Sequence, residues 1–466
     1  MLTTRLNALR LTKAAALAAA AMTLTGFSGN AEAAVVISSD ATTNITCTSG
    51  VCTPTKKSAI LNVTQLHSLL ASGSVTITTA GATASDIVIG SVFSWASAHS
   101  LTLDAYQSIT VNKAVVVAGT GGFGLMTNDG GTGGALTFGG NGSISFLSTA
   151  NSLAINGATY TLVNDISALA SDVAAVPGGH YALSISYNAS SDGTYANSPV
   201  AAAFSGIFDG LGNTISHLAI KNMGVGDEVG LFAETETGST IENLRLTKVR
   251  IGGGKNAIVG GLVATNKGVV RNDSEQGSVW QDGVVPDARV SSIVGGLVGS
   301  NEGQILGCST SGEVTGLPAL PYLKAYIWVG GLAGANSGAI TSSYSTAALM
   351  GPQNSVVGGL VSENSGSIDS SFATGNVTGT LSADAGGLVG ANIGGATVSN
   401  SYATGTVETT GRGGNTGGLL GVNSGAVLTS YATGGTSGGS FSGGVVGFEN
   451  KSGRFTDSYW DTTTSG

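Results

Sequence analysis

Seven times between residues 260 and 446 the chain returns to two glycines followed by two apolar residues. The copies are Gly260-Gly261-Leu262-Val263, Gly295-Gly296-Leu297-Val298, Gly330-Gly331-Leu332-Ala333, Gly358-Gly359-Leu360-Val361, Gly386-Gly387-Leu388-Val389, Gly417-Gly418-Leu419-Leu420 and Gly443-Gly444-Val445-Val446. They lie 35, 35, 28, 28, 31 and 26 residues apart, and a partial copy stands earlier at Val229-Gly230-Leu231-Phe232. A period of this size marks a solenoid, in which one unit buries its apolar face only by stacking on the next. More than glycine recurs. Five residues after the second glycine comes an asparagine in six copies, Asn266, Asn301, Asn336, Asn364, Asn392 and Asn423, with Asn450 one residue later in the seventh. Beyond it an apolar residue is followed at +4 by an aromatic, as in Ile340/Tyr344, Ile368/Phe372, Val398/Tyr402, Val427/Tyr431 and Phe455/Tyr459.

The repeats are β rather than α. Glycine makes up 75 of 466 residues, and each would cost a helix about 1 kcal/mol relative to alanine. Short runs of Val, Ile, Thr and Tyr between glycines are strand-and-corner chemistry. With 7 prolines and no Gly-X-Y period the chain is not collagen, and a hydrophobic share of 41% argues against disorder. The expectation is an all-β parallel β-helix whose coils hold two or three strands each and stack at roughly 4.8 Å. Glycines would stand where the backbone turns with positive φ or approaches another strand closely. The repeated asparagines would form a structural ladder, each amide bonding the amide of the next coil.

Arg5, Arg10 and Lys13, the apolar stretch Ala14 to Leu24 and Ala31-Glu32-Ala33 read as a signal peptide over residues 1–33. Eleven apolar residues are too few to span a bilayer, and no later run is long enough. An exported protein meets an oxidising compartment, so Cys47 and Cys52 could close a small loop, leaving Cys308 as a small buried residue. A formal charge of −9 with only 10% charged residues makes a nucleic-acid partner unsuited to this chain. No cofactor is expected.

Residues 34–163 read as an irregular β-helix: Asn62 caps a short helix ended by Gly73, and strands follow at Val75-Thr76-Ile77-Thr78, Ile87-Val88-Ile89, Leu101-Thr102-Leu103, Ile109-Thr110-Val111, Leu136-Thr137-Phe138 and Ile144-Ser145-Phe146. Asn164 is expected to open a second helix, stopped by Pro177-Gly178, within a connecting region 164–228 that also holds the first coils. Asp209-Gly210 reads as a tight turn. The repeat solenoid then occupies 229–466.

The element Gly-Gly-Leu-Val-x-x-Asn, the Ser-Tyr-Ala-Thr-Gly that follows it and the earlier Phe208-Asp209-Gly210-Leu211-Gly212-Asn213-Thr214-Ile215-Ser216 resemble the GLUG-motif repeats of bacterial surface proteins. The segment from Val92 to Val163, with Leu101-Thr102-Leu103-Asp104-Ala105 and Leu153 to Leu162, is similar to filamentous-haemagglutinin-like adhesins of proteobacteria. Together these resemblances imply an exported, right-handed β-helical surface protein or adhesin. They also imply a surface glycan or protein as partner and an outer-membrane export partner, although the Asn-Pro-Asn-Gly stretch of two-partner secretion is absent. Repeats of this kind usually lead into further sequence, so a longer protein is expected.

Catalytic readings find little to stand on. GLUG repeats accompany zinc metallopeptidases of the immunoglobulin A protease type, which need His-Glu-x-x-His, but none of His67, His99, His180 and His217 is followed by Glu. Gly130-Gly131-Thr132-Gly133-Gly134-Ala135 has Ala135 where a calcium-binding nonapeptide has its aspartate. Asp227, Glu228, Glu234, Glu236 and Glu242 with Arg245, Lys248, Arg250, Lys255, Lys267 and Arg271 read as a solvated face. Were they to converge on one groove, the alternative would be a carbohydrate-active β-helix enzyme, a polysaccharide lyase or hydrolase. The two 35-residue repeats exceed the 28-residue ones by seven, and this excess is expected to form loops that carry Trp280 in one and Tyr322, Tyr326 and Trp328 in the other. That aromatic patch is the candidate binding surface of a non-enzymatic, adhesin-like rod.

Overall fold

The computed structural model describes residues 33–81, 83–282, 292–317 and 327–464; all but the last residue of the expected signal peptide lies outside them. The chain is an all-β parallel β-helix with two short α-helices, Val63–Ser72 and Ile166–Ala175, in its N-terminal half. One coil of the repeat region runs through Ser355–Gly358, Val361–Asn364, Ser367–Asp369, Phe372–Ala373 and Val377–Gly379. Each strand pairs in parallel with its counterpart one repeat later: Val356 with Asp384, Val361 with Val389, Ser367 with Thr397, Phe372 with Tyr402 and Val377 with Val407. The coil therefore has four faces, the last one broken in two, rather than two or three strands. The strands are two to four residues long, so corners come more often than strands of about five would allow.

The paired glycines mark one of these corners, and the reason is space rather than positive φ. A Cβ on the first glycine would lie 1.8 to 2.1 Å from the carbonyl oxygen three residues on in every copy: Val263 for Gly260, Val361 for Gly358, Val446 for Gly443. A Cβ on the second glycine of the first six pairs would lie 1.9 to 2.4 Å from the carbonyl of the matching glycine one coil further, as for Gly359 against Gly387. Leu262, Leu297, Leu332, Leu360, Leu388 and Leu419 follow the pairs and are fully buried. Positive φ belongs to another corner, where Asn243, Asn272, Gly307, Ser342, Ser370, Asn400, Thr429 and Asp457 occupy equivalent places.

The apolar interior falls into two clusters. The first runs from Val35 to Leu162 with Ala182 and Leu211, the second from Val163 to Val445. Helix Val63–Ser72 sends Leu66 and Leu70 into the first, and its N-cap Asn62 accepts hydrogen bonds from the Thr64 and Gln65 amides. Helix Ile166–Ala175 sends Ile166, Leu169 and Val173 into the second. Its cap is Asp165, not Asn164, because Asp165 Oδ1 accepts from Ala168 N at 2.7 Å. Backbone bonds tie the N-terminal coils to the chain beyond Val163: Ile144 N donates to Leu211 O at 2.9 Å and Phe146 N to Ser184 O at 2.6 Å. Among the described residues no helix is long and apolar enough to cross a membrane.

Gly358→Ala should lower the denaturant midpoint by the equivalent of about 1–3 kcal/mol, since backbone rather than a flexible side chain must yield. Gly395→Ala, with nothing within 4 Å of the added Cβ, should leave the midpoint unchanged. Equal midpoints for the two variants would show that the corner relaxes freely.

Candidate binding face

The asparagines form a continuous buried ladder. Nδ2 of each donates to Oδ1 of the next: Asn266 to Asn301, Asn301 to Asn336 and Asn336 to Asn364 at 2.7 Å, then Asn364 to Asn392 and Asn392 to Asn423 at 2.9 Å. Thr235 starts the column, its hydroxyl donating to Asn266 Oδ1 at 2.7 Å. Asn450 is not part of it. Glu449 takes the register position opposite Asn423, whereas Asn450 lies one residue past the strand, exposed, donating to Ser424 Oγ at 2.7 Å. The ladder members are at most 1% exposed, so they hold the rod together and cannot touch a partner.

A second buried polar column stands beside the positive-φ corner. Cys308 N donates to Ser343 Oγ and Ser343 N to Ser371 Oγ, both at 3.1 Å, and the pattern continues through Ser401 and Ser430 to Ser458. Cys308 is a buried free thiol in a serine's place, donating to the Val270 and Leu306 carbonyls at 3.4 Å. Cys47 and Cys52 are disulfide-bonded across the hairpin of Ile45–Thr48 and Val51–Pro54.

The expected aromatic loop patch is not what the described residues show. Trp280 lies in strand Ser274–Gln281 and Trp328 in strand Ile327–Gly330, in two different sheets. Both are half-buried, alternating with the buried Val279 and Val329. The Trp280 ring fills the space over Gly252 of the preceding coil, where a Cβ would meet it at 2.3 Å. Strand alternation therefore points both indoles outward from the coil wall. Tyr322 and Tyr326 lie outside the described residues.

An outward aromatic row does exist elsewhere. Tyr344, Phe372, Tyr402 and Tyr431 stack in register with ring centroids 4.8, 4.8 and 5.0 Å apart and planes 1°, 2° and 7° from parallel. Their spacing is that of the strands that carry them. The apolar-to-aromatic +4 pattern was its signal in the sequence.

The charged cluster is dispersed across coils instead of converging. Lys267 donates to Glu234, with Glu236 3.9 Å away; Arg271 donates through Nε to Glu242 at 2.9 Å; Thr265 Oγ1 donates to Glu228 at 2.6 Å. Asp209, Glu242 and Arg271 share one register position on successive coils. Asp209 is 1% exposed and serves its turn, accepting from Leu211 N at 2.7 Å and Asn243 Nδ2 at 3.1 Å. Burial, aided by the neighbouring Glu242 charge, pushes its carboxyl up to about 8. Burial also holds the Asp273 and Glu275 carboxyls well above the usual range. Among the described residues no three His, Cys, Asp or Glu side chains gather as they would around a metal ion.

The profile of the GLUG motif matches residues 382–408. The chain carries that motif. Over 77 residues it is 42% identical to Halomucin of Haloquadratum walsbyi, a stretch that is 16% of this chain and 1% of that protein. A crystal structure of a provisionally assigned immunoglobulin A1 protease from Bacteroides ovatus aligns with 62% of this chain and 77% of that one at 16% identity; the TM-score of 0.38 is too low to carry any argument.

Asn364→Leu should destabilise the rod by about 2 kcal/mol or more, because it strands the Asn336 donor and the Asn392 acceptor in the interior. Asn450→Ala should change stability by less than about 0.5 kcal/mol. Chemical denaturation of the two variants checks both. Stability should also rise on acidification. Asp209, Asp273 and Glu275 bind their protons more tightly folded than unfolded, so their contribution is full below the ordinary carboxyl pKa and is lost as pH rises through their raised folded values, which for Asp209 is about 8. Asp369, depressed by its Ser399 hydrogen bond, acts oppositely but only below that window. A melting temperature that increased from pH 5 to pH 8.5 would contradict this assignment.

Proposed function

We propose that the chain is the exported, non-enzymatic rod of an adhesin-like surface protein, related in its N-terminal half to filamentous-haemagglutinin-like adhesins. Its partner is a glycan or protein on another surface. The observation that carries this reading is the repetition of outward side chains at one strand spacing along the coil stack, seen most clearly in the row Tyr344, Phe372, Tyr402 and Tyr431. Such a surface gains avidity from many weak, equivalent contacts rather than from one deep pocket. The GLUG motif and the likeness to Halomucin support a repetitive surface-associated protein. Among the described residues, carboxylates that pair across coils or lie buried in turns offer a substrate no convergent acid and base.

Beads coated with the full chain should be retained on immobilised cell-surface glycans or intact cells, with retention growing steeply with coating density. No retention on any such surface, or release of reducing ends or unsaturated products from a polysaccharide panel, would overturn the reading.

A further inference from the structure

The outward row that contains the stacked rings is longer than the stack. By strand register it runs Thr214, Arg245, Ser274, Ser309, Tyr344, Phe372, Tyr402, Tyr431 and Tyr459. One face of the Tyr344 ring is covered by Phe372; on the other side its register neighbour is Ser309, which carries no ring. Three coil steps, roughly 14 Å at about 4.8 Å each, separate Tyr344 from Arg245. Between them the row holds only two serines, so its side chains are short from Ser274 to Ser309 and rise again at the Tyr344 ring, an interval termed the trough.

The other end is a cleft of about 210 Å³ whose walls include Phe138, Asn243, Arg245, Asn272, Ser274 and Gly307. Arg245 is fixed there. Its Nη2 donates to the Gly139 carbonyl at 2.9 Å and the Gly142 carbonyl at 3.2 Å, and its Nη1 donates to the Gly212 carbonyl. Three of the five guanidinium N–H groups are thus engaged, and the charge stays in the cleft wall without an ion pair among the described residues. Asn272 is exposed and Ser274 half-exposed on the floor.

We propose that this trough is a glycan-binding site, in which one sugar ring lies against the side of Tyr344 on which no ring stacks and the adjoining sugar hydroxyls are held by Asn272, Ser274 and Arg245. The inference rests on the adhesin reading and names its ligand class. A ring face supplies an apolar platform, and amide, hydroxyl and guanidinium groups supply directional bonds to hydroxyls. A peptide partner would instead want a deep apolar pocket for an anchor side chain, and the trough has a serine floor.

The test uses the full chain and hexasaccharides of glucose, galactose, N-acetylglucosamine and galacturonic acid, read by saturation-transfer NMR and calorimetry. Ser309→Tyr extends the ring stack by one coil and fills the trough; Tyr344→Leu keeps bulk but removes the ring face. Each should weaken the bound hexasaccharide at least tenfold, with circular dichroism and melting temperature unchanged, whereas Ser309→Ala should bind like the parent. If one filling variant fails to fold, the other decides. Unaltered affinity in a folded Ser309→Tyr or Tyr344→Leu protein overturns the site, as does binding of none of the four hexasaccharides. Retention on cells that persists in those variants leaves the adhesin reading standing while the trough falls; loss of all retention by the parent chain sinks both.

Discussion

Everything in this rod follows from the demand that each coil superimpose on the one before it at a single strand spacing. Under that demand an interior position is a column, and a residue is tolerated only if it can be repeated against itself. The primary amide satisfies this well, carrying donor and acceptor in one plane, so each ladder asparagine gives one bond forward and accepts one from behind. A serine hydroxyl does the same work by another route: it accepts from the backbone amide of the preceding coil and donates to the carbonyl two residues before it, as Ser371 does with Ser343 N and Asp369 O. The glycine columns express the same demand sterically, since the carbonyl of the next coil occupies the volume of a Cβ. Composition is thus a consequence of geometry: a chain with 75 glycines is one whose corners leave no room for side chains.

The columns were legible in the sequence because they are periodic. The spacing of Asn266, Asn301, Asn336, Asn364, Asn392 and Asn423 gives both the coil length and the ladder. Asn450 broke the pattern because the ladder counts from the strand, not from residue type, and the fourth place of Val446–Glu449 is Glu449. Trp280 and Trp328 failed for a related reason. The arithmetic of repeat length finds an excess between Gln281 and Ser292 and between Gly316 and Ile327, but it does not find the edges of that excess. Both tryptophans fall on the strand side, where alternation with Val279 and Val329 governs them.

Register, by contrast, is not written in any one residue. Asp209, Glu242 and Arg271 are 33 and 29 residues apart, and nothing in the linear chain announces that they occupy one position on three coils. The same holds for Asp273 and Cys308, which stand where later coils place serine. Such substitutions concentrate in the first coils of the repeat stack, beside the bonds that tie it to the N-terminal core. There the preceding coil is not a copy of the following one, so the columns lose their reason to be uniform and polar groups with other roles enter.

That contrast bears on how a solenoid can recognise anything. In the run from Tyr344 to Tyr431 the rings are parallel at the strand spacing, so the interior rings Phe372 and Tyr402 have spent both faces on their neighbours and offer only an edge and, on Tyr402, a hydroxyl. Perfect repetition therefore consumes the groups it multiplies: the more regular a row, the more of its chemistry is turned along the axis and the less outward. Recognition has to come from the remaining edges, weak and numerous, or from a place where the row is interrupted and a face is left uncovered. Ser274 and Ser309 make such an interruption between a fixed guanidinium and a ring with no stacking partner on that side. Under the proposed function the regular coils would supply stiffness and the irregular ones chemistry, at the boundary between them.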